Sequence, residues 1–150
     1  MTPTLTGRWQ TRALTLLVFG TFVSTILVVQ QGESQYYRVL MYVAVFGVGW
    51  DVLYTLLQRL RWDRDWPTVV GIAASGVEAF VLFYVCDKFG LPGVAARSMS
   101  IAKFTAHFGG IWLLTFLWTQ GPARVFFPYW RFHGARITAV VGRSQEGRAA

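Results

Sequence analysis

The sequence predicts an all-α integral membrane protein, a four-helix bundle with its N- and C-termini in the cytoplasm. Three observations predict this class. Of the 150 residues 54% are hydrophobic and only 14% charged, against roughly 25% charged in a soluble domain. Four apolar runs of 17 to 19 residues follow one another: Ala13 to Val29, Val39 to Leu57, Val69 to Val85 and Ile101 to Trp118. Basic residues lie between and after these runs and carry the net charge to +7.

Each run has the roughly 17–25 residues that cross a hydrocarbon core of about 30 Å. None alternates polar and apolar residues as barrel strands do. In lipid every backbone group needs a local partner, so such runs are helices. Arg8 and Arg12 precede the first run as the n-region of a signal peptide would. However, the run is longer than an h-region of about 7–15 residues and no A-x-A-like site follows, so it reads as a transmembrane helix. The expected organisation is a transmembrane domain over 1–120, with spans near 13–29, 39–57, 68–86 and 97–118, and a cytoplasmic basic and aromatic tail over 121–150. Pro67 suits the start of the third helix, where a missing N–H costs nothing. The stretch 90–93, Gly-Leu-Pro-Gly, is a turn. Gly121-Pro122 ends the fourth helix. The loop Arg59 to Trp66 alternates charge and reads as a solvated face with local ion pairs.

Orientation follows from counting cations by side. Arg8, Arg12, Arg59, Arg61, Arg64, Arg124, Arg131, Arg136, Arg143 and Arg148 fall on one side, and Arg38, Lys88, Arg97 and Lys103 on the other, ten against four. The positive-inside rule puts the larger group in the cytoplasm. In the tail, Arg124, Phe127, Tyr129, Trp130, Arg131 and Phe132 interleave base and ring. That mixture can stack on single-stranded nucleic acid, but beside a membrane it reads as an interfacial anchor, with rings at headgroup level and arginines on anionic lipid. No nucleic-acid partner is expected, and the chain beyond Arg136 is expected to fray. The lone Cys86 can form no internal disulfide and no zinc site by itself; it reads as an apolar filler.

The stretches Arg61-Trp62-Asp63-Arg64-Asp65-Trp66-Pro67 and Phe127-Pro128-Tyr129-Trp130-Arg131-Phe132 resemble those of small uncharacterised four-helix integral membrane proteins of high-GC Gram-positive bacteria. The resemblance implies a bacterial plasma-membrane setting and no particular activity.

One constellation could carry chemistry. Asp51, Glu78 and His107 lie deep in three successive runs. A carboxylate at mid-membrane costs roughly 2.5–3.5 kcal/mol on insertion scales, so such groups face the bundle interior and are paired or neutral. Their helix faces agree: Asp51 shares its face with Gly47 and Thr55, Glu78 with Gly71, Ala74 and Ser75, and His107 with Ser100, Lys103 and Gly110. In the first run Thr21, Ser24 and Thr25 form a matching stripe. From the helical rise, Glu78 and His107 lie at similar depth and Asp51 roughly 8–9 Å further in. Tyr54 continues the polar face below Asp51, and Lys103 lies one turn above His107. Two readings stay open. Glu78 and His107 pair to fix register while Asp51 bonds to nearby hydroxyls, or the three form a proton relay. A divalent metal is disfavoured by the spacing, and no cofactor is expected.

The functional expectation is a small non-catalytic membrane protein, an accessory subunit of a membrane complex or a homo-oligomer in contact with anionic lipid headgroups. The first alternative is a proton- or cation-linked channel or transporter built on Asp51, Glu78 and His107. A weaker one is a lipid-binding protein or membrane enzyme using the same residues.

Overall fold

The first helix begins eight residues before the apolar run that marks it. In the computed structural model, which describes residues 4–60 and 67–138, α1 runs over Leu5–Gln31. Thr4 caps it, its hydroxyl accepting from the Gly7 N–H at 3.2 Å, so Arg8 and Arg12 lie inside the helix instead of ahead of it. Gly32, at φ +70°, ends it, in the left-handed conformation glycine adopts without penalty. Next come α2 (Gln35–Leu60), α3 (Thr68–Lys88) and α4 (Ile101–Gln120), then two short helices, α5 (Pro122–Phe126) and α6 (Pro128–Phe132). No strand occurs among the described residues. Three helices, α1, α2 and α3, are long and apolar enough to cross a membrane. The 20-residue α4 is comparable in length.

α4 starts at Ile101, not near residue 97. Arg97 sits at φ +60°, outside helical geometry, and the Ser100 hydroxyl accepts from the Lys103 N–H, which makes Ser100 the N-cap. The segment from Phe89 to Ser100 is a folded cap. Val94 and Met99 are buried, the Tyr42 hydroxyl donates to the Pro92 carbonyl at 2.9 Å, and the Arg38 guanidinium donates to the Gly93 carbonyl. The charged loop expected to carry local ion pairs falls largely on 61–66, outside the described residues. The fraying expected at the chain end, and Arg143 and Arg148, lie outside them too.

Each long helix packs on the next, and α4 returns to α1. Burial is uneven along the helices. The apolar core gathers at the end near the 32–34 and 89–100 loops, from Leu27, Tyr36, Val39, Val43, Leu82, Cys86, Val94, Met99 and Phe104. Cys86 is a free, buried thiol within it. The other end is closed by the tail. Trp130 is buried and its indole N–H donates to the Thr11 hydroxyl at 2.8 Å. Thr4 N–H donates to the Gly134 carbonyl at 2.9 Å, and the Ile137 N–H to Gln10 Oε1 at 2.8 Å. Trp130 is therefore a packed plug against α1, its polar edge satisfied by a partner inside the protein. Phe127 and Phe132 stay exposed. Tyr129 stacks on His133, centroids 3.9 Å apart. The side chain of Arg131 lies outside the described part.

The contact of tail with α1 requires glycine at position 7. A Cβ there would overlap the Gly134 carbonyl oxygen and lie 2.7 Å from the Ala135 carbonyl carbon, and backbone cannot swing aside as a side-chain tip can. Gly7→Val is expected to detach the tail: tryptic cleavage at Arg124 and Arg136 should accelerate roughly tenfold, the equivalent of about 1.4 kcal/mol, with helix content by circular dichroism unchanged.

Candidate functional site

The two buried carboxylates meet on one guanidinium. Asp51 on α2 is 3% exposed and Glu78 on α3 is 4% exposed. Arg12 on α1 reaches between them. Its Nε donates to Asp51 Oδ2 at 2.9 Å and one terminal nitrogen to Asp51 Oδ1 at 3.0 Å. The other terminal nitrogen donates to Glu78 Oε1 at 2.9 Å, while the nitrogen bound to Asp51 Oδ1 also makes a longer 3.5 Å contact to Glu78 Oε2. Arginine has five N–H donors in a planar fork, and this arrangement engages two of its edges, one per carboxylate, as bidentate pairing requires. Lysine could not reproduce it.

Glycine at position 47 makes room for the fork. A Cβ there would overlap an Arg12 terminal nitrogen and lie 2.6 Å from its central carbon. Below the cluster, Arg8 donates to Gln58 Oε1 at 3.0 Å and lies within electrostatic reach of Asp51. The Tyr54 hydroxyl donates to the Ala74 carbonyl at 3.0 Å, tying α2 to α3.

His107 belongs elsewhere. It is fully buried, and its Nε2 is 2.8 Å from the Ser24 hydroxyl. The Tyr36 ring lies 5.4 Å away, centre to centre. The expected Glu78–His107 pair is thus not formed; equal depth did not bring the residues together, because Glu78 turns to Arg12 and His107 to α1. Nor does Asp51 stand apart from Glu78, since a long arginine side chain spans the expected gap. Ser24 reaches His107 through a π-helical turn at Leu16–Gly20. In an unbroken helix Arg12 and Ser24 would point about 120° apart; one extra residue in the turn reduces this to about 20°. Both then face the interior. Lys103, at the far end of α4, pairs with Glu33 in the α1–α2 loop. That hydrogen bond holds the Glu33 carboxyl below its usual range.

A cavity of about 350 Å³ opens over the Arg12 cluster. Its walls are apolar, from Ile72, Phe108, Ile111, Trp112 and Phe116, with Thr15, Ser75 and Thr115 among them. Arg8, Gln120, Arg124 and Trp130 line it toward the tail. The Thr115 hydroxyl is buried and has no hydrogen-bond partner. The Arg12 side chain is 21% exposed while those of Asp51 and Glu78 are 5% and 6%; the cavity therefore meets mainly the guanidinium, with the carboxylates behind it. Among the described residues no three His, Cys, Asp or Glu side chains converge as a metal site would require.

Arg12 is the residue that sequence reasoning missed. It precedes the apolar run and was counted with the orientation charges. The available signal was the imbalance itself: two carboxylates deep in the runs, against the single cation Lys103 near the edge of the fourth. No family model, no curated protein and no solved structure matches the chain.

Removing one partner of a buried ion cluster costs about 3–5 kcal/mol, whereas replacing the whole cluster with apolar groups costs little. Arg12→Ala is therefore expected to lower Tm in mild detergent by roughly 10 °C, at about 2–4 °C per kcal/mol. The triple variant Arg12→Met, Asp51→Leu, Glu78→Met should recover most of that loss. Thermal melts of the two proteins check this; a triple variant as unstable as the single one contradicts it.

Proposed function

We propose that the chain is a multi-pass, non-catalytic accessory protein of a bacterial plasma membrane, and that it works by holding an amphiphilic molecule in the cavity over Arg12. All four long helices cross the bilayer in this reading, with both termini in the cytoplasm. The single observation that carries it is the cavity. Its volume falls in the roughly 300–1,000 Å³ range of ligand sites, which are apolar with a few placed polar groups. This one combines aromatic and aliphatic walls with a guanidinium at its floor and arginines at its mouth.

The membrane setting rests on the length and apolarity of the helices and on their outward side chains. Leu17, Met41, Val45, Val69 and Phe80 are each more than half exposed, which lipid accommodates and water does not. Orientation rests on the cation count. Arg12 leaves that count because it sits inside the cluster, and nine against four remain on the same sides. A proton relay through Asp51, Glu78 and His107 finds less support: both carboxylates are occupied by Arg12, and His107 contacts Ser24.

Native mass spectrometry of the protein purified in mild detergent should show about one retained lipid-sized adduct per chain. Ile72→Trp, which fills the cavity, should remove it. Absence of any adduct on the wild-type protein sinks the reading. Co-purifying proteins in the same preparation would identify the complex that an accessory role requires. Topology has its own check. In a Cys86→Ser background, a cysteine at Gln35 should react with an impermeant maleimide from outside intact cells, and one at Ser144 only after permeabilisation; the opposite pattern inverts the orientation.

A further inference from the structure

We infer that the cavity takes one acyl chain of an ester-linked lipid, and that the Thr115 hydroxyl recognises it by donating to the ester carbonyl. This rests on the reading of the cavity as an amphiphile site and specifies which group of the amphiphile is recognised.

Most hydroxyls of the lining are already committed. Thr15 donates to the Thr11 carbonyl at 2.9 Å, Ser75 to the Ile72 carbonyl at 2.7 Å and Thr119 to the Thr115 carbonyl at 2.9 Å, each within its own helix. Thr11 donates to the Ala135 carbonyl and Tyr54 to the Ala74 carbonyl, both at 3.0 Å. Thr68 is exposed at the start of α3. Thr115 differs from all of these, because its hydroxyl is buried in the cavity wall and has no partner. A buried donor without an acceptor bears the full cost of its lost water contacts. The hydroxyl therefore calls for an acceptor on whatever fills the space.

The neighbours of Thr115 decide what carries that acceptor. Inward along α4 the lining is Trp112, Ile111 and Phe108, an apolar wall of about 10 Å. In the other direction Thr119 and Gln120 line the cavity, the second about 7–8 Å away, with Arg124 beyond the helix end. An acceptor at Thr115 thus sits where an apolar stretch meets a polar mouth. The ester carbonyl of an acyl lipid occupies the same boundary, since hydrocarbon begins on one side of it and the headgroup lies beyond its ester oxygen. A free fatty acid would place its carboxylate at Thr115 and leave the stretch toward Gln120 empty. An ether-linked chain would fill the volume but bring no carbonyl. The cavity, at about 350 Å³, lies near the lower end of the roughly 300–1,000 Å³ range of ligand sites, which suits one chain of a lipid whose remainder stays in the bilayer.

The experiment is a titration of delipidated full-length protein in mild detergent, read by fluorescence of the lining tryptophans Trp112 and Trp130. The probes are palmitoyl lysophosphatidylcholine, the hexadecyl ether analogue with the same headgroup, and palmitate. The ester should bind roughly tenfold more tightly than the ether, the worth of one neutral hydrogen bond. Thr115→Val, which keeps the shape and removes the hydroxyl, should bring the ester down to the level of the ether and leave the ether unchanged. Thr115→Ser, which keeps the hydroxyl, should retain the preference. So should Thr105→Val, at an exposed position of α4 outside the lining. The comparison of ester with ether on the wild-type protein decides even where Thr115→Val fails to fold. Equal binding of the two, or a preference that survives Thr115→Val, overturns the role of Thr115 and leaves the amphiphile reading standing. Palmitate displacing the ester at equal concentration overturns the ester assignment in favour of a free fatty acid. No binding by any probe overturns both readings.

Discussion

The arrangement depends on how two carboxylates are kept at the centre of a largely apolar chain. An ionised carboxylate in hydrocarbon is expensive, and two of them close together repel. Arg12 answers both problems, since one planar fork binds Asp51 along one edge and Glu78 along another. Three helices must therefore meet at one level. Because α1, α2 and α3 each contribute a single member, none can slide or rotate without leaving a buried charge unpaired. The net worth of such a cluster is small when compared with well-packed apolar residues; its effect is to make alternative helix registers costly.

Packing then divides along the helix axes. Beyond the cluster, toward the 32–34 and 89–100 loops, side chains interlock and the Ser24–His107 contact joins α1 to α4. On the other side α3 presents Gly71, Ala74 and Ser75, residues too small to reach α1 or α4, and the space they leave is the cavity. Small residues on a helix face commonly let helices approach closely. Here α3 is held at Glu78, and at Leu82 and Cys86 further along, so the small face borders an opening. The tail closes the far end through Trp130.

Much of this was readable from residue pattern. Four apolar runs located the four long helices, since lipid allows a run of that length only one backbone conformation. Asp51, Glu78 and His107 were found because an ionisable residue inside such a run has no innocuous position, and each proved buried. Their partners were less accessible to the same logic. Which helices become neighbours is decided by packing across the whole molecule, so depth alone could not tell that Glu78 turns to Arg12. The π-helical turn hid Ser24 further, because a regular period places it about a third of a revolution away from Arg12. The burial of Trp130 was hidden for a related reason. Aromatic and basic residues after a span read as an interfacial belt, and only the three-dimensional proximity of the tail to Thr11 makes one of them a buried plug.

Gly47 shows how tightly one position can be tied to another. The space its missing side chain leaves is filled by the Arg12 guanidinium, so the two residues are alternatives for one volume. A larger residue at position 47 would push the guanidinium off its acids, and losing the arginine would leave two buried acids unpaired. Neither step is open alone. The carboxylates offer no easier route, because removing either one breaks the same buried cluster.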